Sequence, residues 1–262
     1  AVFIGSARYL MHHFLGKRPE KCCGVSKSET NGFTYSQSLQ GKTIYTIHAA
    51  KEVEHRDGKI TLHDVTMVLY GRKGDRADEI KGSEFEYDQS AGLVRALGLV
   101  HIDLQAAAAA ALAKGDRPGK AKGGARETGD GAAKILHATT SGLVYMNKLG
   151  VAATSEPIEF ELGGITGHAV GADYNSDSGV LLLHSAVNMS GVMGKRPVTL
   201  TAAAAELDSR DQRAVLTGAK FRTGPDSLLG KTVTADHATL HRRQDGSLER
   251  IEAQGSVTLG GQ

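Results

Sequence analysis

One stretch of the chain comes close to a phosphate-binding loop. Residues 224–232 read GPDSLLGKT, whereas such a loop has four residues between its glycines and is followed by a helix that points its N-terminus at the phosphate. Here five residues separate Gly224 from Gly230, and the residues that follow, VTAD, have the pattern of a strand. We therefore predict a hairpin loop at 224–232 and no nucleotide site.

The histidines and cysteines form no known metal or nucleophile motif. The eleven histidines are scattered, without H-E-x-x-H, C-x-x-C or G-x-S-x-G spacing, so zinc and serine-nucleophile chemistry have no support. His12 and His13 are adjacent and point apart on a helix, which predicts a solvated pair. Cys22 and Cys23 are adjacent too and would bridge only under strain. They are interpreted as a free pair near a membrane, with palmitoylation or metal binding as alternatives.

Carboxylates recur where turns are expected. Hydrogen bonds to nearby backbone N–H groups are enough to explain aspartates at such positions, and no carboxylate interrupts the pattern as a catalytic residue would. We therefore predict neither an enzyme nor a cofactor or metal site. The turn aspartates are Asp57, Asp88, Asp177, Asp208 and Asp245.

The elements around these turns read as strands. From Val94 to Leu104, the even-numbered residues are apolar or small, and Arg95, His101 and Asp103 fall on the opposite face. Similar runs of alternating residues end at Gly or Asp clusters throughout the chain, which is typical of antiparallel hairpins. The sequence predicts an all-β meander.

The hairpins repeat with a regular period. Gly58 and Gly92 are 34 residues apart, and the turns at Gly179, Arg213 and Gly246 follow one another at intervals of 34 and 33. Helical repeats have similar periods but require a spacing of 3.6, whereas these copies alternate with period 2. The repeat is therefore a β-repeat.

The copies resemble a known family. Ala172-Asp173-Tyr174 and Glu86-Tyr87 precede turns, and residues close to a Gly-x-Val-x-Ile/Leu pattern follow the turn, as in GKITL at 58–62 and GLV at 92–94. These features are similar to the OstA-like repeat of lipopolysaccharide transport proteins (the LptC/LptA family). Residues 32–36 and 41–49 resemble the opening of the inner-membrane LptC component. The resemblance covers residues 31–104 and 134–262.

The resemblance implies a β-jellyroll, or β-taco, whose interior holds lipid acyl chains. It also implies a periplasmic protein of a Gram-negative bacterium whose partners are lipopolysaccharide, other Lpt jellyroll proteins and the inner-membrane ABC transporter. A formal net charge of +2 makes no case for a nucleic-acid partner.

Side-chain alternation assigns the inner, lipid-binding face. Ala and Gly at many inward positions were expected to leave more space than a packed sandwich has. The predicted inner-face residues are Ile47, Ala49, Val94, Ala96, Val100, Ile102, Leu104, Val215, Phe221, Val233, Ile251, Val257 and Leu259.

Four segments organise the chain. Residues 1–30 are predicted to form a juxtamembrane segment with a short helix, the end of an upstream membrane anchor; a helix packed on the sheet is the alternative. Residues 31–104 and 134–262 are the repeat blocks, and they are predicted to form one continuous stack because stacking pairs one more edge. Residues 105–133, rich in Ala, Gly and Lys, are predicted to be a flexible solvated loop, or one whose lysines meet lipid phosphates.

Three functions fit this organisation. The first is a non-enzymatic conduit that shields acyl chains in an apolar groove during export to the outer membrane. A structural or self-assembling β-repeat module of the cell envelope, without lipid cargo, is the alternative, and a glycan-processing enzyme has the weakest support. The final strand leaves an unpaired edge, which predicts end-to-end self-association.

Overall fold

The structure is a computed structural model, and it describes residues 26–72, 76–105, 135–162, 164–193, 196–208, 213–223, 232–242 and 248–260. These residues form strands and turns without a helix, which confirms the prediction of an all-β, antiparallel fold. The predicted N-terminal helix, His12, His13, Cys22 and Cys23 lie outside the described residues. So do residues 106–133 and the loop at 224–231.

The described residues form one sheet of seventeen strands. The first strand begins at Ser26, earlier than the predicted start of the repeats at residue 31. The strands are β1 Ser26–Leu39, β2 Lys42–His55, β3 Ile60–Leu69, β4 Asp78–Asp88, β5 Leu93–Ala96, β6 Val100–Gln105, β7 Ile135–Thr140, β8 Val144–Met146, β9 Val151–Leu162, β10 Ile165–Asn175, β11 Val180–Met193, β12 Arg196–Ala202, β13 Ala204–Asp208, β14 Arg213–Thr223, β15 Thr232–Arg242, β16 Leu248–Gln254 and β17 Thr258–Gly260.

The strands pair in chain order as an antiparallel meander. Short strands share a neighbour where a longer one is interrupted: β4 pairs with both β5 and β6, and β15 pairs with both β16 and β17. β6 pairs with β7 from Val100–Thr140 to Gln105–Ile135, so the sheet continues across residues 106–134. The domain division itself stays a prediction.

A line of irregular positions, called the crease here, crosses the whole sheet. On β3, Asp64 is skipped in the ladder and has a φ of 51°; on β10 and β14, Gly171 and Gly218 have φ values of 76° and 62°. An extra residue in one strand bends the strand and increases its twist. The crease passes through residues 32, 50, 64, 83, 97–99, 141–143, 155–156, 171, 184–186, 203, 218, 236 and 255–257.

The crease divides the sheet into two leaves. Leaf I comprises the strand segments 33–39, 42–49, 65–69, 78–82, 100–105, 135–140, 157–162, 165–170, 187–193, 196–202, 219–223, 232–235 and 258–260; leaf II comprises the remaining segments. The leaves face each other: the rings of Tyr35 and Tyr87, from opposite leaves, lie 5.5 Å apart. One buried cluster draws its apolar side chains from both leaves. The sheet is therefore folded over its own core.

Candidate lipid-binding groove

A continuous row of inward side chains crosses leaf I from the first strand to the last. Each residue in the row is the direct cross-strand partner of the next, and such neighbours have Cβ atoms about 4.5–5.5 Å apart. Apart from Gly167, every member is apolar. The row is Tyr35, Ile47, Met67, Ile80, Ile102, Ala138, Phe160, Gly167, Met189, Leu200, Phe221, Val233 and Leu259.

A second row lines leaf II opposite the first. It consists of Ile60, Tyr87, Val94, Tyr145, Ala152, Tyr174, Leu181, Leu207, Ala214, Leu240 and Ile251, again direct cross-strand partners. Both rows run through the segments before and after residues 106–134. The two leaves therefore enclose one apolar interior along the sheet.

The structure buries most of the predicted inner-face residues. Val233 and Ile251 are half-buried against the core, whereas Val257 and Leu259 at the C-terminal edge are 46% and 64% exposed. Thr258, between them, is exposed as well, so at this edge exposure does not separate an inner from an outer face. The buried residues are Ile47, Ala49, Val94, Ala96, Val100, Ile102, Leu104 and Phe221.

Val215 lies on the outer side of leaf II, contrary to the prediction. Its neighbours Ala214 and Leu216 are buried inward. Val215 and Phe221 have the same parity, but the ladder skips Gly218 between them. The side-chain alternation shifts by one residue at Gly218, which has a φ of 62°, so simple counting places only one of the two correctly.

The small residues leave much less free space than the sequence predicts: a cavity of only about 20 Å³ is lined by Ala138, Ala152 and Ala172. Ala49, Ala172, Ala202 and Ala235 are buried and lie next to the crease, where the leaves converge. A Cβ on Gly82 would come within 2.8 Å of the Phe85 ring. Small side chains are needed there because the leaves are close together.

Space remains on the side opposite the crease, called the mouth here. An apolar cavity of about 40 Å³ lies between Phe160 and Leu162 of leaf I and Leu181, Leu207 and Leu240 of leaf II. Asp208 and Arg213 line it as well. This cavity is called the slot, and the interior around it, between β6–β11 of leaf I and β11–β16 of leaf II, is the slot end.

A buried polar network joins the leaves at the other end of the mouth. Asp78 accepts hydrogen bonds from Arg76 Nε at 2.8 Å, from Arg76 Nη2 at 2.9 Å and from the backbone N–H of Gln105 at 2.9 Å, all in leaf I. The hydroxyl of Tyr174, in leaf II, also donates to Asp78. The side chains of Arg76 and Asp78 are 1% and 0% exposed, so the charges satisfy each other without water.

A second contact lies beside this network. The backbone N–H of Arg72 donates to Asp177 Oδ1 at 2.7 Å, and Arg72 Nη2 donates to the carbonyl of Lys148 at 3.1 Å. A Cβ on Gly71 would approach the carbonyl oxygen of Ser176 to 2.6 Å. Together, Arg72, Arg76, Asp78, Tyr174 and Asp177 are called the latch, and the interior beside them is the latched end.

Tyrosines fill the latched end. Tyr45 and Tyr145, from opposite leaves, meet edge to face at 5.5 Å, and Asn147 donates to the Tyr45 hydroxyl at 3.3 Å. Burial raises the pKa of Tyr45, Tyr87 and Tyr145, and burial together with the Asp78 carboxylate raises that of Tyr174. These hydroxyls therefore stay neutral and serve as hydrogen-bonding groups.

Sequence reasoning missed the latch. Asp177 was interpreted as a local turn residue, but Asn175 accepts the local N–H groups of Asp177 and Ser178, and Asp177 instead binds Arg72 far along the chain. One signal was available: Asp78 shares its face with Ile80 and Gly82, which puts a charge at an inward position. Asp57 and Asp88 do accept nearby backbone N–H groups, as predicted.

The outer surface carries a different kind of concavity. A polar trough of about 580 Å³ on leaf I is lined by Asp103, His137, Glu161 and His168, among others. His137 Nδ1 lies 2.7 Å from Asp103 Oδ1. Across the described part of the chain, no three His, Cys, Asp or Glu side chains group as metal ligands.

The comparisons with known proteins give weak structural likenesses and no match by sequence. No protein-family model and no curated protein matches the chain. The crystal structure of LptH from Pseudomonas aeruginosa, the LptA homologous periplasmic component of the lipopolysaccharide transport device, aligns with a TM-score of 0.39 and 12% identity, over 48% of this chain and 94% of that one. A likeness at this level does not identify cargo or partners. In the described ranges, no helix has the length and apolarity needed to cross a membrane.

Proposed function

We propose that the chain is a non-enzymatic, periplasmic lipopolysaccharide-binding conduit that shields acyl chains between its two leaves during export to the outer membrane. The observation that carries the proposal is the row of apolar side chains across leaf I, interrupted only by Gly167 and faced by a second row on leaf II. Each methylene moved from water into such an interior contributes about 0.8 kcal/mol. The resemblance of the repeats to the OstA-like family supports the same cargo.

A structural β-repeat module is the second candidate. The specific observation in its favour is the filled interior, because a slot of about 40 Å³ is far below the roughly 300–1,000 Å³ of ordinary ligand sites. A conduit must therefore open to accept its cargo, whereas a structural module need not.

Site-specific photo-crosslinking in cells separates the two candidates. Ile102 is 7% exposed and His101, its neighbour, is exposed on the other face. A photoreactive residue at position 102 is expected to capture lipopolysaccharide, and one at 101 is not. Equal capture at both positions would indicate surface contact, and capture at neither would leave the structural module as the better account.

The partners follow from the two unpaired edges of the sheet. Among the described residues, β1 pairs with β2 alone, and β16 and β17 pair with β15 alone, so another jellyroll protein or a second copy can extend either edge by β-augmentation. We propose contacts of this kind with Lpt-type jellyroll proteins, the inner-membrane ABC transporter complex and other copies of the chain. Periplasmic localisation with an upstream inner-membrane anchor belongs to the same proposal.

A charge at the C-terminal edge tests this proposal, and a proline at Val257 is unsuitable for the purpose. The N–H of Val257 donates to the carbonyl of Gly255 at 2.8 Å within the crease, so a proline there would disturb the bend. Leu259→Lys is expected to weaken end-to-end association measured by light scattering. Val192→Lys, at another exposed apolar position away from both edges, is the control. An unchanged mass distribution for Leu259→Lys would rule out association through this edge.

A further inference from the structure

We infer that the interior is functionally divided: the slot end binds the acyl chain of an anionic amphiphile, with Arg213 as the partner of its head group, while the latch holds the other end closed. This inference rests on the proposed function, because it locates the cargo within the same groove. It names the binding residues and the chemical class of the ligand.

The lining of the slot defines the ligand. Leu104, Leu136 and Ile165 of leaf I face Leu181 and Leu240 of leaf II, a surface that offers an acyl chain only apolar contacts. The charges that line the slot are Asp208 and Arg213. The ligand is therefore an amphiphile whose chain lies between the leaves and whose polar group stays at the mouth.

Arg213 selects an anionic polar group. Its Nε atom is buried and has no hydrogen-bond partner among the described residues, and a buried donor without a partner is costly. A phosphate or carboxylate would satisfy it with a charge-assisted hydrogen bond. Asp208 lies across the ladder from Arg213 and repels anions, so the head group has to bind on the guanidinium side of this pair.

The two ends differ in the contacts that are lost when the leaves separate. Separating the leaves at the slot exposes apolar side chains, which a bound acyl chain covers again. Separating them at the latched end breaks the hydrogen bonds of Asp78 with Tyr174 and of Asp177 with Arg72, and an acyl chain replaces none of these. Cargo therefore enters the slot end first.

Tryptophan reporters test the division, since the chain contains no tryptophan. Phe160 lines the slot, and Phe85, which is 1% exposed, lies on β4, the strand that begins at Asp78 of the latch. With dibromostearic acid as a quenching ligand, Phe160→Trp fluorescence is expected to be quenched several-fold more than that of Phe85→Trp. Leu240→Trp is a second slot reporter in case Phe160→Trp does not fold, as judged by circular dichroism.

Removal of the latch is expected to reduce the difference in quenching between positions 85 and 160. Adding Tyr174→Phe or Asp177→Ala to Phe85→Trp should raise quenching at position 85 toward that at 160.

The head group is tested with Arg213→Gln, which should weaken binding of the acid about tenfold and leave binding of its uncharged methyl ester unchanged. Arg213→Lys should retain much of the affinity.

The outcomes separate two failures. Quenching at none of the slot reporters would remove both the inference and the proposed function, because no acyl chain would then bind inside. Equal quenching at positions 85 and 160 in the otherwise unchanged protein would overturn the division alone. An equal effect of Arg213→Gln on the acid and on the ester would overturn the role of Arg213.

Discussion

The latched end and the slot end are made from the same repeat, yet their interiors are chemically different. The latched end contains Tyr45, Tyr87, Tyr145 and Tyr174 with a buried ion pair, and the slot end is lined by leucines with a small cavity. Polar contacts fix one geometry because a broken one leaves an unpaired group, whereas apolar contacts are non-directional. The same β scaffold thus combines an end held by directional polar contacts with an end held by apolar contacts.

The largest effect is expected from Asp78→Asn at the latched end. It removes the carboxylate that pairs with the buried Arg76 guanidinium, and breaking such a pair costs about 3–5 kcal/mol. Urea unfolding followed by circular dichroism measures the loss. Glu79→Gln, at a more exposed position on the same strand, is the control and should cost no more than about 0.5 kcal/mol.

A double variant identifies the cause. Arg76→Met with Asp78→Leu removes both charges, and replacement of a buried pair by apolar residues is often neutral. The double variant is therefore expected to recover most of the stability that Asp78→Asn loses. If it is as unstable as the single variant, the shape of the site and not its charge balance holds the latched end together.

The next largest loss of stability is expected from substitutions of glycines in the crease. Two such glycines, on strands that border the two ends, allow the ends to be compared. Gly171 of β10 and Gly218 of β14 both have positive φ, where a side chain costs about 1–3 kcal/mol. A Cβ on Gly171 would lie 2.8 Å from His184 Nδ1, whereas one on Gly218 would lie 3.3 Å from the Ala203 Cβ. Gly171→Ala should therefore destabilise the protein more than Gly218→Ala in urea unfolding. Equal losses would mean that the crease is equally tight along its length.

The sequence was sufficient for the regular parts of this arrangement and not for its irregular ones. Alternation predicts the strands and the inner positions from Val94 to Leu104. Three residues, 97–99, separate β5 from β6, and because this number is odd, the even-numbered residues face inward on both strands. Alternation fails at Val215 because a local skip at Gly218 reverses the face, and period-2 counting contains no signal for the skip. Side-chain alternation says even less about which residues of the two leaves contact each other.

The latch shows the second limit. Arg72 and Asp177 are 105 residues apart, and their contact depends on how the leaves are folded over the crease, which no local pattern specifies. A charge at inward position 78 was visible in the sequence, but its partner Tyr174 was not. Residues 1–25 and 106–133 lie outside the described structure, so their anchor and loop interpretations remain predictions.

Alkaline pH is expected to act first on the latched end. Burial raises the pKa of Tyr45, Tyr87, Tyr145 and Tyr174 in the folded state. Above the unfolded value of about 10, the unfolded chain loses protons that the folded chain retains, so stability falls as pH rises further, by up to about 1.4 kcal/mol per tyrosine and pH unit.

Hydrogen exchange across this pH range locates the effect. After correction for the intrinsic exchange rate, protection is expected to decrease sooner in β4 and β8 than in β13 and β14, whose described residues contain no tyrosine. The absorbance of tyrosinate should rise together with this loss. Simultaneous loss of protection in all four strands would show that the two ends unfold as one unit.

The smallest effect is expected from a surface ion pair on the N-terminal edge. Glu29 and Lys51 lie 3.0 Å apart with side chains 56% and 41% exposed, and exposed pairs of this kind contribute about 0–1 kcal/mol. Glu29→Gln should therefore cost little at low salt and nothing measurable at about 1 M salt, where the Debye length is about 3 Å. Asp78→Asn should keep its cost in the same high-salt titration, because its partner is buried beyond the reach of screening ions. If both losses decline equally with salt, water and ions reach the latch, and the contrast between a sealed end and an accessible one does not hold.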